Sequence, residues 1–508
     1  MATSPRRSGE RRSTSRLSAR PYASSEVTRL LCVGAHVDPA FSDAVIRELV
    51  SESERFVAPS FGFDVLPVLG HALVARDRRS RRRVVVILSP LIPVFLYFFG
   101  PTAFATGVVL WLWATWAAIC VERLVALHIL TTDLADPKTS RGRRGFDGRI
   151  PIHPTLTAYD CDRINAEQDS TSGLVYYSGY RPFIGAGNLQ KSSKFPILLN
   201  KARNPLTASL DGGSGADEAS DVEAFSAGEI FEYVQERLEA TLKDEGWGGQ
   251  QIEGLDISRR WYRTAVGPER PESPADAPFS SQGAERYDSA REYLCVRIGS
   301  WGQEVVASAF INFDVKGRTL YTEFHRYVLP PLNPSYRAAD RLSPEITDGE
   351  VCLIAGESIV RMVREAIGAV LLLVALPYRL WSLVIKRDQP SLEDQVEPGI
   401  ELPGKKIDAF DYGSRTSIRE LAHAKKYHHF FQAVDAGKYG DIIERRFLEI
   451  VIDFLEKKGM DTGEFRARQA TILNYGMIQT GSGTISNAGQ MAVGTNASAS
   501  ASASASAS

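Results

Sequence analysis

The densest group of titratable side chains is His423, Lys425, Lys426, His428 and His429. Imidazoles at this density could hold a transition metal, but two of them share one helical face only at a spacing of about three or four. Here the separations are five, six and one, which predicts a solvated helix face. Phe183-Ile184-Gly185-Ala186-Gly187 follows a strand-like run and offers a G-x-G turn that could wrap backbone amides around a phosphate. No third glycine arrives at the dinucleotide spacing, and Lys191 and Pro196 follow without a helical pattern. Asp160-Cys161-Asp162 sets a thiol between two carboxylates with no basic neighbour in sequence to hold a thiolate. Signatures of the G-x-S-x-G, H-E-x-x-H and Walker type are absent. No residue is therefore assigned a catalytic, cofactor or metal role, and the chain reads as non-enzymatic.

The elements around these groups are dominated by one feature. From Val84 to Val121 there is no Asp, Glu, Lys or Arg, and the run is bracketed by Arg76–Arg83 and by Glu122-Arg123. About 20 apolar residues cross a bilayer, so Val84–Phe99 and Thr102–Val121 are expected to be two crossings joined by Gly100-Pro101-Thr102. Pro90 and Pro93 should kink the first. Phe95, Tyr97, Phe98 and Phe99 gather at its far end like an interfacial belt, while Trp111, Trp113 and Trp116 lie from mid-span toward the return. Arginines precede the pair, and Arg123, Lys138, Arg141, Arg143, Arg144 and Arg149 follow it. By the positive-inside rule both flanks, and so the N-terminus, are cytoplasmic. A third apolar stretch, Ala366–Tyr378, rises only about 20 Å before Arg379 interrupts it. It reads as a re-entrant or interfacial helix, with a third crossing as the alternative.

The soluble parts follow from periodicity. Residues 1–25 form a basic tail too polar to order itself, with Arg6, Arg7, Arg11, Arg12, Arg16 and Arg20 against Glu10. Residues 26–83 read as a small mixed α/β unit: a strand over Thr28–Val37, then a helix capped by Asp38-Pro39 with Phe41, Val45, Ile46 and Leu49 on one face. Residues 126–357 are expected to form an α+β domain. Its signals are a strand over Gly173–Tyr180, a capping box at Ser226 and Glu229 opening a helix closed by Gly246, and an antiparallel meander over Glu292–Ile298, Glu304–Val315 and Thr319–Leu329. Leu206–Glu223 and Ala265–Ala290 read as surface loops. After the 358–387 helix and a 388–413 linker, residues 414–470 read as a helical module, with one helix over Thr416–Val434 and another over Asp441–Lys458. The closing stretch, 471–508, is rich in Gly, Ala and Ser; Ile485, Met491 and Val493 suit short strands that could pair with another copy or a protein partner.

Composition excludes several classes. Net charge is −2, so no basic field argues for nucleic acid. The five cysteines are widely spaced with no CxxC, which supports neither a disulfide framework nor zinc. Leu30-Leu31-Cys32-Val33-Gly34-Ala35, Tyr177-Ser178-Gly179-Tyr180-Arg181-Pro182-Phe183-Ile184-Gly185, Val328-Leu329-Pro330-Pro331-Leu332 and Ile472-Leu473-Asn474 resemble segments of actinomycete membrane-anchored proteins. That resemblance implies a bacterial inner-membrane setting and no particular activity. Gln490-Met491-Ala492-Val493-Gly494-Thr495-Asn496 is similar to bacterial amyloid-signalling motifs of the RHIM-like type, except that Met491-Ala492 stands where a β-branched residue and Gln are usual. The expectation is a membrane protein of α+β class: a transmembrane helical hairpin, a soluble α+β domain, and a C-terminal helical module ending in a β-like low-complexity tail. Its expected partner is the lipid bilayer, and its expected role is scaffolding, sensing or signalling. A membrane-tethered enzyme or small-molecule binder is the alternative.

Overall fold

The computed structural model describes residues 22–137, 145–169, 173–200, 225–244, 252, 254–267, 270–271, 290–342, 347–386, 410–463, 465–467 and 469. Ile485, Met491 and Val493, Gly246, the Leu206–Glu223 loop and most of the linker lie outside them.

The chain opens with α1 (Glu26–Val37) and α2 (Pro39–Ile46), followed by a π-helical turn over Arg47–Ser51 and then α3 (Val65–Leu88). The expected strand over Thr28–Val37 is thus a helix, and the 26–83 unit is helical rather than mixed. Its central run Leu30–Ala35 is apolar without a break and fully buried, and periodicity cannot separate such a run from a buried strand. The local signal lay in Ser25, whose side chain accepts from the Thr28 amide as N-cap. Asp38 caps α2 and Pro39 occupies its first turn, as the sequence predicts. Phe41, Val45, Ile46 and Leu49 all enter the core shared with α1 and α3. Arg29 is buried in this core, paired with Glu26 and Asp340 and donating to the Leu134 carbonyl at 3.0 Å. Burial alone would lower its pKa; the two carboxylates outweigh that and raise it.

A short helix, α4 (Leu91–Tyr97), and a long one, α5 (Pro101–Thr132), follow. The first expected crossing, Val84–Phe99, is therefore not one helix. It is the end of α3 and all of α4, separated at Ser89-Pro90, where proline withholds an amide from the ladder. Next come α6 (Ala158–Asp169), β1 (Leu174–Tyr177), β2 (Asn188–Leu198), α7 (Ala227–Asp244), β3 (Leu255–Thr264), β4 (Val266–Gly267), β5 (Arg291–Ser300), β6 (Val305–Lys316) and β7 (Thr319–Leu329). The chain then continues through α8 (Asp348–Lys386), β8 (Phe410–Asp411), α9 (Ile418–Leu421) and α10 (Phe430–Lys457).

Six strands make one sheet in the order β1-β3-β5-β6-β7-β2, with β1 parallel to β3 and every other pair antiparallel. The predicted meander is β5-β6-β7, turned at Gly317 in the left-handed region (φ 59). The Ser226–Glu229 capping box is present in both directions, and Ile230, Val234, Leu238 and Leu242 of α7 are buried. The helix expected over Thr416–Val434 reduces to the single turn of α9 and the start of α10. His429, rather than a residue near Asp441, is the N-cap of α10. That long helix lies with α7 on one face of the sheet, where Ile443, Phe447, Val451 and Phe454 share a core with Leu294, Ile311 and Phe324. It ends at Lys457 with Gly459 in the left-handed region, as its Lys-Lys-Gly sequence predicts.

Phe447 is fully buried and stacks on Phe324 at 5.3 Å between ring centroids. Phe447→Ala should destabilise the sheet domain by about 3–5 kcal/mol, measured by denaturant unfolding. A cost near zero would mean that α10 does not seal this face.

Candidate membrane-facing site

Between Arg83 and Glu122 the chain folds back on itself. α4 and α5 lie antiparallel, with Gly100 (φ 113) as the N-cap of α5 and Pro101 in its first turn. Gly107 allows a close approach: a Cβ there would stand 2.8 Å from the Pro93 Cα. Ser89, at the break, donates to the Val86 carbonyl at 3.1 Å and lies 3.3 Å from the Thr115 hydroxyl of α5. The Ser89 side chain thus satisfies a carbonyl that the broken ladder would leave open.

The outward surface of this pair is apolar. Phe98 is 81 % exposed and Phe99 68 %, and Val84, Leu91, Phe95, Val109, Trp113 and Val121 are exposed as well. Thr102 is exposed at the start of α5, and Trp111 sits half-buried within it. Water penalises each bare large side chain by about 1.5–3 kcal/mol, and a contiguous apolar surface of this kind marks a contact with lipid or protein. α5 is the one helix among the described residues that is long and apolar enough to cross a membrane.

At the inner end the charges converge. Arg78 of α3 donates to Glu122 of α5 at 3.1 Å, and Arg82 lies 3.9 Å from the same carboxylate and 3.3 Å from Glu365 of α8. Arg123 pairs with Glu357 at 2.8 Å, and the Trp116 indole donates to the Ala355 carbonyl at 3.1 Å. α8 is thereby fastened to α5 at the level where the apolar surface stops. A groove of about 740 Å³ opens beside this girdle, walled by Val85, Trp113, Ala117 and Val121 and edged by Arg81 and Arg82.

The groups singled out for chemistry in the sequence take other roles. Gly187 and Gly185 adopt left-handed φ, but the Gly187 amide donates to the Glu420 carboxylate at 2.9 Å, so an internal anion occupies the position a phosphate would take. Phe183 stacks on Phe310 at 4.0 Å, inside an aromatic cluster on the sheet face opposite α10. Asp160 closes a cap with Thr157 at the start of α6. Burial, then Asp160 and Asp162, raise the Cys161 thiol pKa, the reverse of what a nucleophile needs. His423, His428 and His429 lie around the connection between α9 and α10 rather than along one helix face; His429 caps α10 and stacks near Trp301. Among the described residues no group of three His, Cys, Asp or Glu could hold a metal ion.

One arrangement escaped the sequence reading. Ser192 of β2 and His325 of β7 are cross-strand neighbours, with Oγ 3.0 Å from Nδ1; His325 Nε2 lies 3.4 Å from Glu323, which also accepts from the Tyr293 hydroxyl at 2.8 Å. The His325 hydrogen bond, aided by Tyr293 and Lys194 against burial, lowers the Glu323 pKa to about 2. Only the antiparallel register brings these residues together, and no local spacing announces them.

A family model described as an AbeC-like domain matches residues 192–488, more than half of the chain. The match starts within β2 and runs on past α10, leaving α1–α6 and β1 outside it. No curated protein and no solved structure gives a significant match.

Behind the girdle, His36 of α1 and His71 of α3 are 3.1 Å apart, and His36 Nδ1 lies 3.3 Å from Arg78. Burial, with His71, Arg78 and Arg79 adding to it, holds the His36 pKa well below its ordinary value; burial lowers that of His71 to about 4. The unfolded chain therefore takes up the proton first as pH falls. Stability is complete above about pH 6.5 and declines toward about pH 4, by on the order of 3 kcal/mol for His71. Thermal unfolding at a series of pH values should show this loss in the wild type and a flatter profile in His71→Gln.

Proposed function

The chain belongs to the AbeC-like domain family, and from that premise we propose that it is a non-enzymatic scaffold, sensor or signalling protein anchored in the bacterial inner membrane. The observation that carries this reading is the bare apolar surface of α4 and α5, bounded at one end by the Arg78, Arg82, Glu122 and Glu365 girdle. From Pro101 to Val121 the helix rises about 30 Å, the thickness of a hydrocarbon core. The end of α3 with α4 supplies a return crossing of slightly shorter reach, which makes the anchor a hairpin and the protein multi-pass. Arginine-rich flanks on both sides support a cytoplasmic N-terminus and sheet domain, with Gly100 outside. In this arrangement the ion-pair girdle sits among the lipid headgroups.

Cysteine labelling in intact cells tests the topology. In an otherwise cysteine-free chain, an impermeant maleimide should label Thr102→Cys and leave Asp133→Cys untouched. The opposite pattern would invert the orientation, and recovery of the protein from cells without detergent would remove the anchor.

A second reading, a membrane-tethered hydrolase, draws on the hydrogen-bonded chain Ser192–His325–Glu323, in which the imidazole could take the serine proton. Under that reading a fluorophosphonate probe labels the wild type and not Ser192→Ala; a wild type that stays unlabelled retires it.

A further inference from the structure

On the side of α3 away from α5, a cavity of about 270 Å³ opens between α3 and the turn that ends α2. It is lined by Arg47, Arg76, Arg79 and Arg83, by the hydroxyl residues Ser51 and Ser80, and by a single carboxylate, Asp43. Arg76, Arg79, Ser80 and Arg83 recur at helical spacing along α3, so one face of the helix delivers them together. Arg47 and Ser51 come from the facing turn.

Arg79 is the informative member. It is 6 % exposed, its Nη2 donates to the Ser42 hydroxyl at 2.7 Å, and Asp43 stays 3.8 Å away. Its Nη1 is buried and has no hydrogen-bond partner among the described residues. An unmet donor on a buried guanidinium is destabilising, and four guanidinia around one carboxylate repel one another. Both penalties disappear when an oxyanion enters.

We infer that this cavity is a binding site for a phosphomonoester group, held by Arg47, Arg79 and Arg83 with Ser51 and Ser80 as hydroxyl donors. Guanidinium forks match the geometry of phosphate oxygens. Four cations against one carboxylate favour a dianion over the single charge of a phosphodiester or a carboxylate. The volume falls below the roughly 300–1,000 Å³ of sites that enclose a whole small molecule, so the site grips one charged group and leaves the remainder of its bearer outside. Burial lowers the pKa of Arg79 while Asp43 raises it, and a bound dianion would act in the same direction as Asp43. Arg83 is the last charged residue before Val84. A phosphomonoester lipid headgroup could thus reach the site from the membrane surface, and a soluble phosphorylated ligand from the cytoplasm. The inference rests on the membrane reading only for the first of these sources.

The test uses the full-length protein in phosphatidylcholine nanodiscs, alone, with phosphatidic acid or with phosphatidylserine, and separately titrated with inorganic phosphate. Thermal unfolding is the readout. Phosphatidic acid should raise the unfolding temperature and phosphatidylserine should not. A matching response to inorganic phosphate assigns the site to soluble ligands as well. Arg47→Gln with Arg83→Gln, both at exposed positions, should weaken the apparent affinity about tenfold or more, while Arg81→Gln, beside the apolar groove, should leave it unchanged. Equal responses to the two anionic lipids, no response to any phosphate source, or an unaltered response in the double variant would each overturn the site. A protein that enters nanodiscs yet ignores phosphate loses the site and keeps its anchor. One that binds inorganic phosphate while soluble without lipid keeps the site and loses the anchor.

Discussion

Ion pairing at the foot of the apolar helices is the constraint on which the remaining geometry depends. Glu122 follows directly on a charge-free run, and its side chain is only 13 % exposed. A carboxylate so placed is tolerable only with a partner, since removing one side of a buried pair costs about 3–5 kcal/mol. Arg78 and Arg82, one helical turn apart on α3, meet that need and fix how far α5 slides along α3. The same antiparallel register then sets Ser89 against Thr115 and Pro93 against Gly107, the single glycine of α5. The break in the first helix thus falls where the second can receive it. Glu365 extends the network to α8, so a segment far along the chain is held in the same plane of charge.

That plane connects to the sheet domain through buried contacts rather than through a loose linker. Tyr336, in the 3-10 turn after β7, lies against Gly34 of α1, where an added Cβ would come within 2.7 Å of its ring, and its hydroxyl donates to Asp38 at 3.3 Å. Asp340, in the same turn, pairs with the buried Arg29 at 2.7 Å. Arg419 of α9 donates to the Pro330 carbonyl at 3.0 Å, and burial lowers its pKa to about 10. Close-packed cores transmit displacement instead of absorbing it. The helical unit and the sheet are therefore joined by a packed interface of buried contacts.

Legibility in the sequence followed the range of the interaction. Caps at Asp38, Ser226 and Gly459, the alternation of the β5-β6-β7 meander and the stripe of Ile443, Phe447, Val451 and Phe454 are contacts within a few residues or a single helix face, and each reads directly. α1 failed because its central run Leu30–Ala35 is apolar without a break, and such a run suits a buried strand as well as a helix. The helix expected from Thr416 failed for another reason. His429 is the N-cap of α10, and the Gln432 side chain reaches back to accept from its amide at 3.3 Å, so the chain restarts there at a residue type seldom read as a cap. Neither the Ser192–His325 contact nor the meeting of Arg47 with Arg83 has any local trace. The first depends on strand register, and the second on the angle between α2 and α3.

Whether the apolar helices conduct or merely hold can be argued from their hydroxyls. A path for ions needs polar groups turned toward a common axis, and intramembrane charges are its usual mark. Here the charge-free run leaves hydroxyls to do that work, and those of Thr106 and Thr115 turn back onto their own helix, donating to the Ala103 carbonyl at 2.7 Å and the Trp111 carbonyl at 2.9 Å. Both hydroxyl protons are thus held within the helix and turned away from a passing anion, and no carboxylate stands in the run to draw a cation. The charged groups stay in the girdle, where pairing with one another consumes their field. Helices built this way offer an apolar surface for contact with lipid or protein, and clustered charge lies beside them, in the girdle and in the arginine-lined cavity.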